Sequence, residues 1–220
     1  MRIRRPLERL GPTACALAAL AFATPSAVAA QDATRAQTAR RAAQPAHSLT
    51  FTPASRIWVE GTSTVRPYRC EATRIDALIE AEPAAATAAG LALAGLVRGA
   101  TIAIPVDALD CRNRQMNEHM RKALRAQEHP RIEFRLDGHR LAPAPDGTAD
   151  VELHGTLVIA GTPRPVTIAA GAEPAPDGGL RVIGTYRLDM TEYGVKPPRL
   201  MLGTLKVHDR AVVHFDVTVR

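Results

Sequence analysis

The sequence predicts a mainly β protein: an eight-stranded antiparallel barrel with one inserted α-helix near the barrel mouth. Three observations predict it. Beyond Leu49 the chain repeatedly alternates apolar and polar residues with a period of two, and clusters of Gly, Pro and Asp break these runs at hairpin spacing. A single segment, Asn113 to Gln127, changes to helical spacing. Antiparallel strands joined by short turns lose their open edges if the sheet curls back on itself, and a two-sheet sandwich is the alternative.

The residues before the domain read as export machinery. Arg2, Arg4, Arg5 and Arg9 precede an apolar run from Thr13 to Ala23, and Ser26-Ala27-Val28-Ala29-Ala30 follows as a small-residue cleavage region. Basic, apolar and small in that order predict a secretory signal peptide over residues 1–30, cut near Ala29 or Ala30. The expected location is the periplasm, with secretion as the alternative. The apolar run falls short of the roughly 20 residues a spanning helix needs. Cys15 precedes most of that run and has Pro12 three positions before it, which argues against a lipid anchor. Residues 31–48, rich in Ala, Gln, Thr and Arg, have too little apolar surface to order themselves and are expected to form a flexible linker. Residues 49–220 make up the barrel domain.

Charge narrows the function. The full chain carries 28 Lys+Arg and 22 Asp+Glu, a formal net charge of +6, and removing Arg2, Arg4, Arg5, Arg9 and Glu8 with the signal leaves +3. The remaining basic residues are scattered without interleaved aromatics, so no nucleic-acid partner is expected. Cys70 and Cys111 are the cysteines that survive cleavage, and an even pair in an oxidising compartment reads as a disulfide. A metal or redox pair is the competing reading, with His119 as the nearest further ligand.

The strands follow in order. Arg56 to Thr64, Arg69 to Glu80 and Leu96 to Val106 come before the helix. After it, Ile132, Phe134 and Leu136 alternate with Arg131, Glu133 and Arg135, and Val151, Leu153, Leu157 and Ile159 alternate with Asp150, Glu152 and His154. Pro163 to Ala170 and Leu180 to Asp189 continue the series. In the last strand Leu205, Val207, Val213, Phe215, Val217 and Val219 share one parity. Pro145-Asp146-Gly147, Ala160-Gly161-Thr162-Pro163 and Pro176-Asp177-Gly178-Gly179 are turn chemistries that join consecutive strands. In the helix Met116, Met120, Ala123 and Leu124 recur at helical spacing; Asn113 or Asn117 is the expected cap and Pro130 the expected stop. Its apolar stripe must be buried against the sheet edge or over a barrel opening.

These residues resemble the YceI-like proteins, exported lipocalin-like barrels associated with polyisoprenoid binding. The resemblance spans Leu49 to Arg220 and rests on Ser55-Arg56-Ile57-Trp58-Val59-Glu60-Gly61-Thr62-Ser63, Met116-Asn117-Glu118-His119-Met120 and His129-Pro130-Arg131-Ile132-Glu133-Phe134. It continues through Gly155-Thr156-Leu157-Val158-Ile159-Ala160-Gly161-Thr162-Pro163-Arg164-Pro165-Val166, then Tyr193-Gly194-Val195 and the alternating final strand. Three features depart from the family pattern: the basic, aliphatic run Arg121 to Gln127, His129 where an aromatic residue often stands before the proline, and the Cys70 and Cys111 pair, which is not a general family feature.

The resemblance implies a binding or carrier protein, not an enzyme, holding an elongated apolar lipid of isoprenoid type with no cofactor and no metal. A transient membrane-surface contact and a homodimer are further partners it allows. Aromatic residues make up only 4% of the chain, so small aliphatic inward side chains leave room for a slender cavity. The candidate cavity residues are Ile57, Val59, Ile102, Ile104, Phe134, Leu136, Leu153, Leu157, Ile159, Tyr186 and Phe215. His119, Arg121, Lys122 and Arg125 are candidates for contacting a polar head group, against the plainer reading of a pinned histidine and a solvated helix face. Two other function classes stay open: a packed barrel acting as a protein-interaction module, and a Cys/His redox or metal-dependent enzyme. For the last, His208 and His214 share a strand face, but six residues separate them by roughly 20 Å, too far to share an ion.

Overall fold

The computed structural model describes residues 47–197, 199–200 and 205–220. The expected signal peptide and residues 31–46 of the expected linker lie outside these. The strands are β1 (His47–Leu49), β2 (Arg56–Ser63), β3 (Pro67–Ala72), β4 (Asp76–Ala81), β5 (Val97–Pro105), β6 (Leu109–Asp110), β7 (Arg131–Pro143), β8 (Ala149–Ile159), β9 (Thr162–Pro174), β10 (Leu180–Asp189), β11 (Arg199–Leu200) and β12 (Leu205–Val219). Two α-helices interrupt them, α1 (Leu91–Ala94) and α2 (Arg114–Ala123).

All the strands belong to one curled antiparallel sheet, not to a two-sheet sandwich. Its hydrogen-bonded path runs β1-β4-β5-β7-β8-β9-β10-β12-β2-β3-β6, with β11 attached to β12. Among the described residues the sheet has twelve strands, where eight were expected. The expected strand Arg69 to Glu80 is broken because the backbone N–H and the hydroxyl of Thr73 both donate to the Ala108 carbonyl, which takes the chain off the ladder between β3 and β4. The others, β1, β6 and β11, have only two or three residues, too few to show a period of two.

The two ends of the path, β1 and β6, do not pair with each other. The chain leaving β1 instead bonds to the end of β12, through Thr50 with Arg220 and Thr52 with Thr218. β1 itself pairs with β4 from His47↔Ala81 to Leu49↔Ile79. One short segment thus ties the early strands to the last one.

Two apolar clusters mark opposite ends of the curl. At one end Leu49, Ile79, Ala81, Ala149, Val151, Ala172, Leu180 and Val219 meet Ala85, from a 3-10 turn, and Leu93 and Ala94 of α1. At the other, Ile159, Ala160, Leu188, Tyr193 and Val195 pack with Ala123 and Leu124 at the end of α2. The β8–β9 hairpin turns through Ala160 and Gly161, both at positive φ (48° and 79°), as a two-residue hairpin of the favoured twist requires.

α2 sits where the sequence places it, but it is shorter. Asn113 caps it, its side-chain oxygen accepting from the Met116 N–H at 2.9 Å. It ends well before Pro130, because Arg125 adopts a left-handed φ of 53° and the N–H groups of Arg125 and Ala126 fold back to the Lys122 and Arg121 carbonyls. This closing motif usually employs glycine. Here the Arg125 guanidinium donates to the Ala160 carbonyl and so ties the helix end to the β8–β9 turn.

Candidate ligand-binding cavity

The inward faces of the strands enclose a cavity of about 490 Å³, within the usual range for small-ligand sites. All the expected inward side chains line it: Ile57, Val59, Ile102, Ile104, Phe134, Leu136, Leu153, Leu157, Ile159, Tyr186 and Phe215. Along β7, Ile132, Phe134 and Leu136 are only half-buried while the alternate residues Glu133, Arg135 and Asp137 are exposed. In a filled core such inward side chains would be fully covered. They line a space.

Glycine keeps that space open. Gly61, Gly155 and Gly184 occupy inward positions, and the rings of Tyr68, Phe134 and Phe215 lie so close over them that an added Cβ would overlap each ring. Gly61 pairs with Tyr68 and Gly184 with Phe215, while Gly155 stands diagonal to Phe134. An aromatic ring covering a neighbouring strand's glycine lies flat on the wall and does not cross the lumen. Burial also pushes the Tyr68 phenol up from its ordinary pKa.

The polar lining gathers at the α2 end. Ser63 and Arg66 come from the β2–β3 hairpin, and Asn113, Gln115 and His119 from the start and face of α2. The Cys70–Cys111 disulfide fastens this lid, joining the β3 wall to the residues just ahead of α2. The thiols are therefore committed to a staple. Asn117 completes the fastening: its oxygen accepts from the Cys111 N–H at 2.8 Å and its amide donates to Asp110 at 2.9 Å. Asp110 is held below its ordinary carboxylate pKa, first by Asn117 and then by the Arg112 N–H.

Of the candidate head-group residues, His119 lines the cavity and Arg121, Lys122 and Arg125 do not. Arg125 is used by the Ala160 carbonyl and by Glu128 at 3.6 Å. Arg121 acts on Asp110, and Lys122 is exposed on the outer face of α2. His119 shows no bond pinning it to a loop among the described residues. Trp58 stacks on His214 with ring centroids 5.0 Å apart and is covered by the Arg69 guanidinium at 4.4 Å. His208, the other histidine weighed as a metal ligand, shares a hydrogen bond with Thr62 at 2.9 Å.

Several lining residues escaped the sequence reading, among them Phe51, Tyr68, Leu93, Ile168 and Val182, and one of them, His139, is polar. His139 lines the lumen because the β7–β8 register shifts between Leu136 and Gly138, and the bulge reverses inward parity from even to odd numbers. The signal was present in Leu141, an apolar residue out of phase with Ile132, Phe134 and Leu136 across a glycine.

Known structures share this architecture. The crystal structure of Burkholderia cenocepacia BcnA superposes with a TM-score of 0.57 at 19% identity, covering 76% of this chain and 96% of that one. A domain from Saccharophagus degradans described as polyisoprenoid binding and implicated in plant cell wall breakdown gives 0.57 at 13% identity, covering 79% and 97%. At such identities the likeness establishes the fold. No curated protein matches the chain in sequence. Residues 43–219 match the YceI-like domain, every described strand included, and the chain belongs to the YceI-like family.

Proposed function

We propose that this protein is an exported carrier, periplasmic, that holds an elongated apolar lipid of isoprenoid type in its lumen and performs no catalysis on it. The observation that carries the reading is the aliphatic cavity of about 490 Å³ at the centre of a single curled sheet. Family membership and the description of the Saccharophagus degradans domain support an isoprenoid as the ligand.

The cavity size sets the scale of the cargo. A cavity of about 150 Å³ accommodates benzene, so this one takes about 20 carbons, or about four isoprene units. Burying that chain is worth about 16 kcal/mol at about 0.8 kcal/mol per carbon. Association costs of about 8 kcal/mol leave micromolar affinity in water. Extraction from a bilayer is a separate matter, because lipid tails are as apolar as the lumen and give no hydrophobic gain. The mouth supplies what that step needs: Val65, 68% exposed at the tip of the β2–β3 hairpin, with Arg66 next to it in sequence. An exposed apolar tip with a cation beside it suits transient contact with an anionic lipid surface.

The test is native mass spectrometry of the mature protein from the periplasm, followed by organic extraction. An added mass that disappears on extraction and proves to be an isoprenoid is the expected result. A protein that stays empty after incubation with polyprenyl lipids would overturn the reading in favour of an interaction module.

A further inference from the structure

The polar groups that line the cavity are unevenly distributed. Those at the α2 end can reach water at the mouth. Towards the opposite end the wall is made by residues such as Phe51, Ile79, Leu93, Val151, Leu180 and Val219, all apolar. His139 is set into that half. It pairs across the ladder with Leu153, and the next inward residue on its own strand, Leu141, packs against the floor cluster.

Among the described residues His139 has no hydrogen-bond or ion-pair partner. His139 is half-buried and its imidazole gives onto the lumen, where the groups left to bond it are water or a bound ligand. The β7 bulge is what aims it inward; without the register shift Gly138 would face the lumen and His139 the outside. Bulges commonly re-aim a side chain beside a binding site.

Resting on the carrier reading above, we infer that His139 is the hydrogen-bonding anchor for a polar atom of the ligand deep in the lumen, and that the ligand carries a neutral oxygen function there. The charge distribution selects the class. Among the described residues Arg66 is the Lys or Arg side chain on the cavity wall, and it belongs to the mouth, so of these residues none offers a phosphate or carboxylate a guanidinium or ammonium beside His139. An alcohol, ketone or ester oxygen needs only the one hydrogen bond that imidazole can give or accept. The cargo is thus an oxygenated isoprenoid inserted polar end first, its tail directed to the α2 mouth.

The experiment compares geranylgeraniol with the hydrocarbon of the same skeleton, using wild type, His139→Leu, His139→Gln and His119→Leu, by displacement of a fluorescent lipid probe. The expected result is an about tenfold loss of geranylgeraniol affinity in His139→Leu, with hydrocarbon affinity equal or higher, near-wild-type behaviour in His139→Gln, and little change in His119→Leu. Imidazole nitrogen signals of His139 in the wild type should also shift with the alcohol and not with the hydrocarbon, a readout that does not depend on a variant folding. If wild type binds both probes and neither His139→Leu nor the imidazole signals distinguish them, this inference fails and the carrier reading stands. If wild type binds neither, both fail.

Discussion

Replacing Gly184 with alanine tests whether the lumen depends on an aromatic ring lying flat on its wall. The new Cβ would overlap the Phe215 ring and come within 3.0 Å of the Ala169 carbonyl oxygen and the Ala170 Cβ. The strand contacts are tight but tolerable, so the ring is the group that must move, and the lumen is the side open to it. A phenyl group displaced into the cavity takes up about 150 Å³, the space that holds benzene, close to a third of the 490 Å³ present. That excludes about six ligand carbons, worth about 5 kcal/mol at about 0.8 kcal/mol each, or up to several thousandfold in Kd. Titrating wild type and Gly184→Ala with geraniol, farnesol and geranylgeraniol reads the effect. The variant should lose geranylgeraniol affinity steeply and keep most of its affinity for farnesol, one unit shorter. A variant that remains folded by circular dichroism and binds geranylgeraniol as wild type does would refute the reasoning.

Other consequences are open to measurement. Replacing both Cys70 and Cys111 with serine releases a cross-link spanning 41 residues; loop entropy puts the loss at about 4 kcal/mol, which urea unfolding with and without reductant would show, and a loss below about 1 kcal/mol would contradict it. Arg181 donates to both carboxylate oxygens of Asp216, at 2.8 and 2.7 Å, and these bonds hold the Asp216 pKa below its ordinary value despite opposing desolvation. A lowered folded pKa stabilises above the unfolded value near 3.9 and is lost as pH falls through the folded one, so Asp216→Asn should flatten the acid limb of the stability curve below about pH 4 and leave its slope from about pH 6 to 8 unchanged. Asn113→Ala removes the cap of α2 and should cost about 1 kcal/mol in urea unfolding. Leu93, 3% exposed in the floor cluster, should cost about 2–5 kcal/mol when changed to alanine.

Residue patterning by itself determined much of this protein. A period of two in β7, β8, β10 and β12 is a direct consequence of side chains pointing to alternate faces, so it identified the strands and sorted inward from outward residues at Phe134, Leu157, Tyr186 and Phe215 alike. The helical spacing of Met116, Met120, Ala123 and Leu124 marked α2, and the small-residue turn at Ala160-Gly161 marked a hairpin. These are local signals, carried by residues within a few positions of one another.

Only the tertiary structure decided the rest, because the remaining determinants join residues distant in the chain. β1 and β6 exist as strands because partners far along the chain pair with them, not because three or two residues carry a pattern. Parity beyond Leu136 depends on a bulge set by pairing with β8, which is why His139 faces the lumen. Arg121 in the last turn of α2 and Arg125 just beyond it are cations near the mouth, yet neither lines the lumen and the Ala160 carbonyl takes Arg125, which leaves His119 facing the cavity. Whether the interior is hollow could not follow from composition, since Gly61, Gly155 and Gly184 matter only through the rings that neighbouring strands lay over them. Alternation specifies which side chains point inward; the space among them depends on strand register and on how those side chains meet across it.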